Sequence, residues 1–172
     1  MKATAADRMQ LAQDVIDQLD AKRFIPKEEN YFSLTASQKG KFLDGMKHDG
    51  AETLKALKKC EVCQIGALMV AAVERHDALP INKLFIGATM NTDTVRSYLK
   101  KLFTKQQLSL MQSAFMQSAF TMPWQVPYTG RTTRAIDFGN RFKRTGERMR
   151  AIMQNVIDNK GTFKPEKIHA EI

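Results

Sequence analysis

The sequence predicts a mainly α-helical fold: one domain of five to six helices packed around a buried central helix, with little β structure. Three observations carry that expectation. Apolar residues recur at helical spacing in several separate segments. Between residues 62 and 73 only Gln64 is polar, and a helix apolar on every side belongs inside a protein. A chain of 172 residues with a 43% hydrophobic share suits a single domain, here 1–172, that can bury a core of its own.

Residues 4–22 read as the first helix, with Met9, Ala12, Val15, Ile16 and Leu19 at helical spacing. Thr4 is its N-cap, and Asp7 stands in for the usual glutamate of a capping box. Asp14, Asp17 and Asp20 fall on the solvent side, and Pro26 ends the region. Residues 27–50 read as an extended piece with one short strand, then a short helix. Tyr31, Phe32, Leu34, Phe42, Leu43 and Met46 anchor them, while Gly40, Gly45 and Gly50 interrupt. Residues 51–76 read as the longest helix, led by Leu54 and Leu57 and stopped by Pro80. Residues 82–89 (NKLFIGAT) are the strand or loop candidate.

Asn91 then opens a helix carrying Val95, Tyr98, Leu99 and Leu102. Thr104 and Gln107 have capping-box spacing and open the next, with Leu108, Met111, Phe115 and Met122 on its stripe. That helix holds MQSAFMQSAF, two copies of five residues in tandem. One extra copy is a local duplication, since a repeat array needs several. Residues 121–145, with Pro123, Trp124, Pro127, Tyr128 and Gly130, read as a long loop over the core, and such loops often carry function. Thr145 caps the last helix, whose stripe is Met149, Ile152, Met153, Val156 and Ile157. Gly161 is its C-terminal cap. Residues 162–172, with Pro165, read as a loose basic tail.

The densest stretch, CEVCQIGALMVAAVERH at 60–76, reads two ways. Cys60, Cys63 and His76 match the first three ligands of a small zinc module. The same letters spell a buried helix, on which both cysteines share a face of small residues with Ala56, Ala67, Val70 and Ala71. Gly66 would let a neighbouring helix come close. A continuous helix would carry His76 roughly 18 Å beyond Cys63. No histidine or cysteine follows within a few residues, and His48 could complete a Cys-Cys-His-His set only from a distance. The core reading is therefore preferred, with free cysteine acting as a small hydrophobe. No metal and no cofactor is expected.

Net charge is +9, which points to nucleic acid, a membrane surface or an acidic protein as partner. Residues 131–150 concentrate it: Arg131, Arg134, Arg141, Lys143, Arg144, Arg148 and Arg150 stand against Asp137 and Glu147. Trp124, Tyr128, Phe138 and Phe142 are interleaved or close by. Basic groups among aromatics suit phosphate contacts with base stacking, and the dominance of arginine suits bidentate recognition. Lys100, Lys101 and Lys105 form a second cluster. Catalysis is not favoured. There is no glycine-rich phosphate loop and no metalloprotease helix motif. Cys63 and His76 stand too far apart on one helix to act together, and Glu74 with Asp77 reads as a solvated helix end. Residues 1–24 carry charge throughout, unlike a secretory signal. The longest apolar run is too short to span a bilayer, so no membrane and a cytoplasmic location are expected.

Three stretches, CEVCQIGALMVAAV, ERMRAIMQNVIDNKGTFKP and RMQLAQDVIDQLDAKRF, together resemble a group of small accessory proteins of tailed bacteriophages and related mobile elements. They cover roughly a third of the chain, and carry no catalytic or binding residues over. The resemblance implies a setting: an accessory protein in the bacterial host cytoplasm that binds and inhibits a host defence component. An anti-CRISPR-like grip on a nucleic-acid-handling complex through the arginine-rich surface is the expected mode. Direct DNA or RNA binding, and sequestration or degradation of a nucleotide signal, are the alternatives.

Overall fold

The structure is a computed structural model that describes residues 3–28, 31–34, 38–40, 54–76, 85–86, 89–122 and 124–166. Six helices of eleven or more residues dominate the described chain: α1 (Ala5–Asp20), α2 (Gln64–His76), α3 (Thr92–Leu102), α4 (Lys105–Met116), α5 (Gly130–Asn140) and α6 (Thr145–Asp158). Strands β1 (Phe24–Pro26), β2 (Phe32–Ser33) and β3 (Cys60–Val62) form a small sheet in the order β1-β3-β2. Within it β1 runs parallel and β2 antiparallel to β3. β4 (Phe85–Ile86) and β5 (Thr89–Met90) make a separate antiparallel pair. The mainly helical expectation is met at this level.

α1 is capped as its sequence demands. The Thr4 hydroxyl accepts from the Asp7 N–H at 3.2 Å, and the Asp7 carboxylate accepts from the Thr4 N–H at 2.7 Å. Leu11, Ala12, Val15 and Ile16 point inward, and α1 lies along α6 and against α2. α2 is the centre of the core. Residues 64–73 are all buried, in contact with α1 and α4.

The long helix expected over 51–76 does not form. Leu54 and Lys55 are helical, the chain turns at residue 56, and residues 60–62 become the central strand β3. Two causes are visible. Cys60 and Val62 are buried while Glu61 between them is half-buried, a period of two. In addition, the Arg23 guanidinium donates to the carbonyls of Leu54 (2.5 Å) and Leu57 (2.8 Å), two acceptors a continuing helix would have used. Cys60 and Cys63 therefore share no helix face; one is in the sheet and the other precedes α2.

Gly66 admits a close approach, but of an extended segment instead of a helix. A Cβ there would lie 1.4 Å from the carbonyl oxygen of Tyr31. Gly139 does the same where α5 crosses α4, with the Ala114 carbonyl oxygen 1.9 Å from a built Cβ.

The tandem MQSAF copies take two structures. The first is the last full turn of α4, wholly buried. The second leaves the helix at once: Gln117 is left-handed (φ 55°). The Ser109 hydroxyl donates to the Phe120 carbonyl, and the Phe120 N–H donates to the Ser113 hydroxyl at 2.9 Å. Met122 consequently lies off the helix and is exposed.

The long loop expected over 121–145 is interrupted by α5, which fills 130–140. α5 has a buried face of Thr132, Ala135, Phe138 and Gly139 packed on α4, a pattern its polar neighbours hid. Arg144, not Thr145, is the N-cap of α6, and the Thr145 hydroxyl donates instead to the Pro26 carbonyl at 3.2 Å. At its other end the Gly161 N–H reaches the Val156 carbonyl (2.8 Å) and the Lys160 N–H that of Ile157 (3.1 Å). This is a Schellman ending in which Lys160 (φ 54°), ahead of Gly161 (φ 78°), takes the first left-handed position.

Residues 162–166 are docked, not loose. Phe163 is buried. Its N–H donates to Gln107 Oε1 at 2.5 Å and its carbonyl accepts from Gln107 Nε2 at 3.1 Å. Asn155 holds the backbone of Lys164 in the same two-bond way, at 2.7 and 3.0 Å. Gln107 thus serves the tail and not a capping box, although Thr104 still caps α4. The expected short helix with Phe42, Leu43 and Met46, and residues 167–172, lie outside the described residues.

Candidate functional site

The arginine-rich segment divides into a structural half and a free half. Arg148 belongs to the first. Its side chain is 3% exposed and donates to the Phe115 carbonyl (2.5 Å), the Phe142 carbonyl (3.2 Å) and Glu28 (2.8 Å). It joins α6 to the end of α4 and cannot meet a partner, which corrects its place among the expected contacts. Trp124 is corrected likewise: at 1% exposure its indole is core and stacks on nothing outside. Arg150 pairs with Asp20 of α1.

Arg131, Arg134, Arg141, Lys143 and Arg144 form the free half. All are exposed. Among the described residues the first four have no ion pair, and Arg144 meets Glu147 only at 3.8 Å. Their placement follows from α5: Thr132, Ala135, Phe138 and Gly139 face α4, so Arg131 and Arg134 are turned outward. Arg141 ends the helix with its guanidinium over the Phe138 ring, 5.9 Å from the centroid. Tyr128 is 58% exposed just ahead of α5, its hydroxyl 3.0 Å from that of Thr133. Residues 128–144 hold five cations and one carboxylate, Asp137. The result is an exposed cationic face with one aromatic at its margin. Three clefts on the described surface are lined by other residues than Arg131, Arg134, Arg141 and Arg144.

Both cysteines are free and buried. Burial pushes the Cys60 thiol up to about 11, against a smaller lowering by Arg23. Burial also raises Cys63 to about 11, although backbone N–H groups of Gly66 and Ile65 and the side chain of Gln112 face its sulfur. A thiolate is the competent ligand or nucleophile, and burial disfavours it at both positions. Among the described residues no three His, Cys, Asp or Glu side chains gather; His48 lies outside them, and only the backbone of His76 is described. Glu74, expected at a solvated helix end, is instead paired with Arg23, each side chain 12% exposed.

Sequence reasoning passed over Arg8. It donates to the carbonyls of Gly161 (2.7 Å) and Ala3 (2.8 Å). No sequence signal marks it, because both acceptors are backbone and one lies 153 residues away. No protein-family model, curated protein or solved structure matches the chain. No helix among the described residues is long and apolar enough to cross a membrane.

Proposed function

We propose that this chain is a phage-type accessory protein that acts by binding, without catalysis, and holds a polyanionic partner on the exposed face of α5. The partner is a nucleic-acid-handling complex of a bacterial defence system, which the attached protein inhibits. One observation carries the binding reading: Arg131, Arg134, Arg141 and Lys143 are exposed together with no ion pair among the described residues. Cations left unpaired on one face attract a partner with closely spaced negative charge and speed its encounter. The spread of these groups along the outer side of a helix, outside those three clefts, favours an extended partner over a nucleotide held in a pocket. The resemblance to phage accessory proteins supplies the setting.

The test is charge reversal on that face. R131E/R134E/R141E should keep its circular dichroism spectrum and lose both co-purification with the host complex from bacterial lysate and inhibition of it. A nuclease-treated lysate separates direct nucleic-acid binding, in which capture vanishes, from binding to the complex itself, in which capture persists. Retention and inhibition by the triple variant at wild-type levels would remove α5 from the interface.

A further inference from the structure

The second basic cluster has its own geometry. A cleft of about 460 Å³ opens where the end of α3, the start of α4, the N-terminal part of α1 and the turn after α6 meet. That volume suits a small ligand, since such pockets run from roughly 300 to 1,000 Å³. Its walls include Ala3, Arg8, Lys100, Lys101, Thr104 and Thr162, and among the described residues no Asp or Glu. The other two clefts each include carboxylates: Asp14, Asp17 and Glu74 in one, Asp20 and Glu147 in the other.

From this we infer a second, separate binding site: the cleft takes a small phosphate-bearing molecule of mononucleotide size. Arg8 is the organising residue. Its Nε is held by the Gly161 carbonyl and one terminal nitrogen by the Ala3 carbonyl, so the plane of the guanidinium is set in advance. Among the described residues no hydrogen bond ties the other terminal nitrogen to the protein. A guanidinium held flat in this way binds phosphate oxygens with little further loss of freedom. Lys100 and Lys101 are exposed and have no ion pair among the described residues, so their ammonium groups can close on the same anion. The hydroxyls of Thr104 and Thr162 add neutral donors, and Leu102 offers an apolar wall to the uncharged part of the ligand. This site shares no residue with the α5 face, so either can fail without the other.

Calorimetric titration of the full chain at low salt, about 50 mM, decides the matter with ADP, inorganic pyrophosphate and adenosine as probes. ADP and pyrophosphate should bind saturably at one site per chain, and adenosine should not. K100E/K101E changes only exposed side chains and should weaken both by about tenfold or more. R8K, which keeps the charge and loses the fork, should weaken them as well. R131E/R134E should leave both within about twofold of the wild type. Absence of saturable binding by either phosphate compound would overturn the site. So would equal binding of adenosine, or losses in R131E/R134E as large as those in K100E/K101E, which would mean diffuse attraction to surface charge.

Discussion

Arg148 and Arg131 are the same residue type in one basic run, yet they do different things. Arg148 is surrounded by the Phe115 and Phe142 carbonyls and Glu28; Arg131 is exposed. Arg148→Met should destabilise the protein by about 3 kcal/mol, chiefly because the buried Phe115 carbonyl and the part-buried Phe142 carbonyl lose their donor. Arg131→Ala should stay within about 0.5 kcal/mol. Urea unfolding of the two variants checks the contrast, and equal effects would contradict the division of the segment. Gly66 is the other decisive single residue. Gly66→Ala puts a methyl into the Tyr31 backbone, which must move, at a cost of about 3 kcal/mol or more. The cysteines set an alkaline limit. Thiols in the unfolded chain ionise near about 8.5, whereas burial holds both folded thiols up to about 11. Above pH 8.5 the unfolded state therefore loses protons first, and stability falls as pH rises toward 11. Lysines and tyrosines titrate there too, so the measurement is a difference: C60A/C63A should lose less stability than the wild type between pH 8 and 10.5. Equal losses would show that the thiols are not shielded.

At the scale of elements, helix spacing and caps made within one turn were legible, and ends set by other elements were not. The capping box of α1 and the Asn91 cap of α3 (3.4 Å from Oδ1 to the Thr94 N–H) stand where the residues place them. Those caps are local, satisfied within one turn. The break at 54–63 was hidden because its cause, Arg23, comes from another element. The second MQSAF copy could not be told from the first by composition; Ser109 and Ser113 of α4 take hold of Phe120 and turn the chain away. Two endings of the same kind carry lysine where glycine is usual, at Lys22 (φ 55°) and Lys160 (φ 54°). A left-handed conformation strains any residue with a Cβ. Lys160→Gly should therefore raise stability by about 0.5–1 kcal/mol, seen as a higher urea midpoint; a lower midpoint would mean the lysine stem packs usefully. Gln107→Ala removes both bonds to Phe163. It should open residues 162–166 to limited proteolysis while the helical circular dichroism signal stays.

For the whole molecule, the excess charge has a place. Of the late basic residues, Arg148 and Arg150 tie α6 to its neighbours, and five others stand outward at α5 and beyond its end. If a nucleic acid binds that face, the logarithm of its affinity should fall linearly with the logarithm of salt concentration, with a slope near about −0.9 per phosphate contacted on duplex DNA. R131E/R134E/R141E should flatten that slope by about three contacts, read from fluorescence titrations at several salt concentrations. An unchanged slope would place the contacts elsewhere. The existence of this cationic region was legible from composition. Its usable members were not, because sequence distance does not say which guanidinium will find a carbonyl from α4 at the core.

The sequence by itself determined the helical class, the apolar centre at 62–73, the first and third helix caps, and the surplus of positive charge. Each depends on spacing within a turn or on a simple count. Only the tertiary structure decided that Cys60 lies in a sheet and that 130–140 is a helix. It alone decided that Arg148 and Trp124 are interior, and that Arg8, Lys100 and Lys101 surround one cleft. Those outcomes depend on hydrogen bonds and packing between residues tens of positions apart. A buried group takes whichever partner the fold presents, and nothing in its own neighbourhood along the chain names that partner.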